Sequence, residues 1–151
     1  MTTTADTIVV DASVAVKWHL NDEEHAQETA RLLTRFSQGG VILLAPDHIR
    51  YEVPSAITVA TIGSQPRITT QQGRDAIEEF LALGLTTVGT DELILAGYPL
   101  VHQYAIALYD ALYLALAFSM QCWFVTADRK LYQRISQSSA VVWISDSRLS
   151  V

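Results

Sequence analysis

Four acidic residues stand in apolar surroundings, where a carboxylate is costly to keep. Asp11 closes the run Thr7–Asp11, and Asp128 comes two residues after the run Cys122–Thr126. Asp110 is the one charged residue between Ala105 and Ala117. Glu52 lies along a series of apolar residues at helical spacing, Ile49, Val53, Ala56, Ile57 and Ala60. A carboxylate in such a setting is penalised unless it is paired, hydrogen-bonded or bound to metal. Four of them aimed at one point would repel one another, an arrangement that makes sense around a hard divalent cation with its preference for oxygen ligands. Magnesium keeps several waters and pairs with phosphate oxygens. Two such ions can clamp the attacking and leaving oxygens of a phosphodiester, and one can activate water. Each acid also has a plainer reading. Asp11 and Asp128 precede predicted helices and suit their N-caps. Asp110 would cap a helix break near Tyr109, and Glu52 would pair with Arg50 or another base at the edge of its face. The cap and ligand roles are compatible, since a cap also faces the strand ends.

Placing these acids requires short buried strands with helices between them. Apolar runs predict strands at 7–11, 41–45, 85–88, 122–126 and 141–144. Helical spacing predicts helices over 12–20, 21–38, 47–63, 69–84, 91–96, 100–108, 109–120 and 128–135, with a stop at Gly39-Gly40 and a break at Gly97–Pro99. Pro54 must kink the third helix or start it. Runs that are apolar throughout, without alternation, belong to strands covered on both faces, hence an α/β fold with a parallel sheet between helices. Sites in such sheets form at the carboxyl ends of the strands, near the switch in strand order. Asp11 and Asp128 meet there if their strands are neighbours.

The 151 residues suit a single domain, 1–151, and with half of them apolar and 17% charged they can bury a core. No apolar run reaches the roughly 18 residues of a membrane span, and residues 1–6 lack the basic and apolar regions of a signal peptide. A cytoplasmic location is the expectation, and the single Cys122 agrees with it, allowing neither an internal disulfide nor a cysteine zinc site. The formal charge of −6 is unlike that of a basic nucleic-acid groove, although ligand carboxylates offset by bound cations would account for much of it. His19, His25, His48 and His102 show no ligand spacing and read as surface or core. Cys122, Trp123, Trp143, Tyr113 and Phe118 read as packing. Arg129-Lys130 could meet a phosphate or simply form a solvated face, and Lys17 could reach the strand ends.

In order and surroundings these acids resemble the PIN-domain family, in particular the VapC toxins of bacterial toxin–antitoxin pairs. The matching segments are Val9–Ser13, Tyr51–Val53, Tyr109–Ala117 and Phe124–Asp128, spread over essentially the whole chain. The resemblance implies a three-layer α/β/α Rossmann-like fold with five parallel strands in the order 3-2-1-4-5. It also implies magnesium- or manganese-dependent cleavage of RNA with one or two ions, a homodimer, and inhibition by a small antitoxin protein. By the motif match Asp11 and Asp110 are the best metal ligands, Glu52 and Asp128 complete the acidic pocket, and Ser13 and Thr126 are supporting hydroxyls. The chain departs from many relatives after Glu52, where Pro54-Ser55 replaces an asparagine.

Two other functions are weighed against a metal-dependent ribonuclease. One is a PIN-like module that binds an antitoxin or RNA with little or no cleavage; the presence of all four acids counts against it. The other is a receiver-like signalling domain, which needs a phospho-acceptor aspartate after its third strand. Here that strand, Leu85–Gly89, meets no acid before Asp91.

Overall fold

The computed structural model describes residues 6–150. Residues 1–5, on which the reading of a leaderless start rests, and residue 151 lie outside them. Five strands form one sheet: β1 (Asp6–Val10), β2 (Val41–Pro46), β3 (Thr86–Val88), β4 (Trp123–Thr126) and β5 (Val141–Trp143). Every pairing is parallel, and the order is β3-β2-β1-β4-β5. The predicted α/β fold with order 3-2-1-4-5 is therefore observed, with helices on both sides of the sheet. The helices are α1 (Ala12–Lys17), α2 (Ala26–Ser37), α3 (Ile49–Ala60), α4 (Thr70–Ala82), α5 (Asp91–Tyr104), α6 (Leu108–Met120) and α7 (Arg129–Ile135), followed by a 3-10 turn at Ser147–Ser150. Among the described residues no single helix is long and apolar enough to cross a membrane.

The sheet's central strands are sealed on both faces: Val9, Val10, Leu43, Ala45, Phe124 and Val125 are all fully buried. This is why their sequences do not alternate. Helix α6 is buried from Ala111 to Ala117 and lies on β1, β2 and β4. An all-round apolar helix is thus the central covering of the sheet. Helix α4 starts where a capping box forms, with Gln72 N donating to Thr69 Oγ1 at 3.1 Å and Thr69 N donating to Gln72 Oε1 at 2.8 Å.

Two predicted boundaries are corrected. The helix expected over 21–38 begins only at Ala26, after His25 in the left-handed region at φ 64°. The residues before it form turns held by distant partners: Arg67 grips Asp22 through Nε at 3.1 Å and also donates to Glu23 at 3.0 Å. The break expected at Gly97–Pro99 does not occur, for α5 runs unbroken through Pro99. Gly97 serves close packing instead, since a Cβ there would come 2.9 Å from Leu112 Cδ2 on α6. The chain turns only at Ala105, at φ 53°, where α5 and α6 meet at 112°. That turn sets where α6, and Asp110 with it, begins. Pro54 neither starts nor ends α3 but lies inside it.

Candidate functional site: an acidic cluster at the strand ends

The strand register brings the first two acids together. Val10 pairs with Val125, so the next residues, Asp11 and Thr126, stand side by side at the carboxyl ends of β1 and β4. This is where the strand order switches direction. The other two acids arrive on helices that begin at the same end of the sheet. Helix α3 follows β2 and carries Glu52 in its first turn; α6 precedes β4, running back against the strands, and carries Asp110 in its first turn. Asp128 is the N-cap of α7, and Asp11 occupies the N-cap position of α1. All four carboxylates therefore sit at helix N-termini, whose partial positive charge tempers their mutual repulsion.

Asp11 is 4% exposed and accepts two hydroxyls on the same oxygen: Thr126 Oγ1 donates to Oδ2 at 2.7 Å and Ser13 Oγ at 2.8 Å. The hydroxyls are anchored in turn, as Asp128 N donates to Thr126 Oγ1 at 3.1 Å and Ala127 N donates to Ser13 Oγ at 3.0 Å. The two supporting hydroxyls expected from the motif match thus touch Asp11 directly. Asp128 itself is exposed; its Oδ1 accepts Leu131 N at 3.1 Å, so the cap reading holds for it. Asp11 holds the N-cap position of α1 through its backbone alone, and the cap reading of Asp110 does not hold. Asp11 makes no side-chain cap bond, and the N-cap of α6 is Ala107.

Glu52 is half-buried and does not pair with Arg50, whose guanidinium lies 3.4 Å from Thr87 Oγ1. Its Oε1 instead accepts the buried Tyr113 hydroxyl at 2.8 Å, and His48 Nε2 lies 3.0 Å from the same oxygen. That close contact is off the line a hydrogen bond requires, so both His48 ring nitrogens are buried without one. The sequence alone presents Tyr113 as packing and His48 as surface or core. The signal for them is spacing: Tyr113 comes three residues after Asp110, and His48 four before Glu52, so each shares a helix face with its acid. Lys17 does not reach the site, because its buried ammonium pairs with Glu23 at 3.1 Å. Arg129 lies over the Trp143 ring at 5.6 Å.

The electrostatics tie the four acids into one field. Burial lifts the Asp11 carboxyl to about 7, helped by the charges of Asp110 and Glu52 and opposed by the Thr126 and Ser13 hydrogen bonds. Burial lifts Asp110 to about 6, helped by Glu52 and Asp128 and opposed by His48. Burial and the carboxylates of Asp11, Glu52 and Asp110 push the Tyr113 phenol well above its usual range, which leaves it a neutral donor. Among the described residues no three His, Cys, Asp or Glu side chains converge closely enough to enclose a metal ion by themselves. The donor set nonetheless fits magnesium or manganese: it is oxygen-only, and two of its acids, Asp11 and Asp110, are destabilised as anions by burial and by neighbouring carboxylates, a cost that a cation reverses. Magnesium in particular is bound through one or two carboxylates while keeping several waters, and needs no complete protein cage.

Because Asp128 both caps α7 and belongs to the cluster, its two substitutions should separate. Asp128→Ala is expected to lose about 1 kcal/mol of stability with the cap, whereas Asp128→Asn keeps the cap and stays within a few tenths. Denaturant melts of the two variants check this, and equal losses would contradict it.

No curated protein matches this chain. Its fold is shared with solved structures. One, the crystal structure of PAE2754 from Pyrobaculum aerophilum, superposes with a TM-score of 0.63 at 18% identity, over 98% of this chain and 91% of its own. The sequence model of the PIN domain matches residues 8–136, a span that runs from within β1 to the end of α7 and holds all four acids. The chain therefore belongs to the PIN domain family, whose members are typically nucleases using divalent metal ions.

Proposed function

We propose that this chain is a magnesium- or manganese-dependent endoribonuclease and the toxin of a VapC-type toxin–antitoxin pair, acting in the cytoplasm as one domain spanning residues 1–151. The observation that carries the reading is Asp11. Its carboxylate is buried at the end of a central strand and pushed up to about 7, facing the charges of Asp110 and Glu52 rather than a basic side chain. Two hydroxyls satisfy one of its oxygens, and the charges it faces are those of other acids, an arrangement that favours a bound cation.

In this reading Asp11 and Asp110 are the principal ion ligands, and Glu52 and Asp128 complete the pocket. The ion, one or two per site, supplies charge stabilisation to the phosphodiester undergoing attack and lowers the pKa of water. Ser13 and Thr126 both hold Asp11 through Oδ2, which leaves its other oxygen for the ion. Half-exposed Asp110 and exposed Asp128 form the side of the site open to RNA. The intact set of acids favours catalysis over a module that only binds. The expected result is weak RNA cleavage in magnesium or manganese that chelation abolishes. Cleavage undiminished in excess chelator, with contaminating nuclease excluded, would overturn the metal mechanism.

The proposed partners are a small antitoxin and a second copy of the chain. An acidic pocket suits a basic tail, above all an arginine that pairs bidentately with carboxylates. Charge reversal of the antitoxin's basic tail is expected to relieve inhibition of cleavage while leaving much of the binding, which apolar helix contacts can carry separately. Inhibition unchanged after every basic tail residue is replaced would show that the antitoxin acts elsewhere.

A further inference from the structure

The hold on Glu52 has no part in the chemistry just described. Tyr113 is fully buried, its ring stacked on Phe124 at 5.7 Å and 13° and set edge-on to His48 at 5.0 Å. Ring contacts on both sides fix the phenol's direction, and its hydroxyl meets Glu52 Oε1 at 2.8 Å. His48 Nε2 lies 3.0 Å from the same oxygen but makes no hydrogen bond to it, so Tyr113 is the donor that holds it. Glu52 needs such a hold. Its side chain is 35% exposed on the first turn of a helix, free in its rotamers, and the charges of Asp11 and Asp110 would drive it outward into water.

We propose that Tyr113 is a positioning residue: its hydroxyl pins Oε1 of Glu52 against the repulsion of Asp11 and Asp110, so that the other carboxylate oxygen is presented to the ion. This rests on reading the acidic cluster as an ion site. A phenol suits the task because it donates a hydrogen bond without bringing charge. Lysine or arginine in its place would neutralise the carboxylate the cation needs, and phenylalanine would fill the space without holding anything. Its position on α6, three residues after Asp110, lets one helix deliver both an acid and the support of a second acid. Side chains that orient metal-binding groups commonly govern metal affinity by about ten- to a hundredfold.

The test is a double-mutant cycle on the full chain with Tyr113→Phe, Glu52→Ala and both. It is read by manganese affinity from electron paramagnetic resonance and by melting temperature in chelator. Tyr113→Phe keeps the ring packing, so its melting temperature should stay within a few degrees of the parent while manganese binding weakens about tenfold. In the Glu52→Ala background the same change should have no further effect on affinity. Unchanged affinity in Tyr113→Phe, or an equal loss in both backgrounds, would overturn the proposal. A parent chain whose manganese binding is no tighter than that of Asp110→Asn would remove the ion site itself and the role of Tyr113 with it. That failure is distinct, because it is seen without any change at Tyr113.

Discussion

Metal-free protein carrying Asp11→Asn is expected to melt higher than the parent at pH 8, with the difference shrinking as pH falls toward 4, and to cut no RNA. The folded state holds the Asp11 carboxyl at about 7 against an ordinary 3.8, so between those values the folded chain binds more protons than the unfolded chain. Stability contributed by protonated Asp11 is therefore complete below about 4 and is lost as pH rises through about 7. Asparagine does not titrate, and its carbonyl can still accept Ser13 and Thr126 on one side while its amide faces Asp110 and Glu52. The interval from 3.8 to about 7 corresponds to of order 4 kcal/mol. Relaxation and entering water absorb part of this, leaving an expected gain of about 2 kcal/mol, or roughly 5 °C, above pH 7. Added manganese should reverse the ranking by stabilising the parent alone. Melts from pH 4 to 8.5 in chelator check this. A variant less stable than the parent at every pH would show that the Asp11 carboxylate is a structural link between β1 and β4 and nothing more.

Asp110→Asn should cost at least about a hundredfold in cleavage while leaving the fold intact. In the folded chain Asp110 caps nothing; the N-cap of α6 is Ala107. What the substitution removes is a charge at a helix N-terminus, worth about 0.3–1 kcal/mol, and this is offset by relief from Glu52 and Asp128, which help burial hold the carboxyl at about 6. The apo melting temperature is therefore expected to be preserved or raised. Cleavage rates and melts of the same preparation decide the matter, and a large destabilisation would return Asp110 to a structural role.

The strands and the four acids were legible because each leaves a local mark. A strand buried on both faces is an apolar run, and an acid within such a run is an anomaly visible in one dimension. The turns before Ala26 were not legible, because Arg67, which pins Asp22 and Glu23, lies more than forty residues away. Gly97 and Pro99 were misread for a related reason. Glycine signals a break in an isolated helix, but here it marks where Leu112 of α6 comes close, a contact made only in the folded chain. The hold on Glu52 escaped for a third reason. Tyrosine and histidine on apolar faces carry no sign of whether their polar atoms serve packing or function, and only the crossing of α3 and α6 brings Tyr113 Oη to Glu52. Lys17 shows the converse, a charge near the site in sequence that the fold commits to Glu23.

The most direct test of the account is to locate the ion. Crystals of the chain soaked in manganese would be measured for anomalous scattering. The account predicts a peak in the crevice at the ends of β1 and β4, with carboxylate oxygens of Asp11 and Asp110 among its ligands, and no such peak in Asp110→Asn. Manganese bound only at other surface acids, or a crevice still empty at saturating manganese, would contradict it.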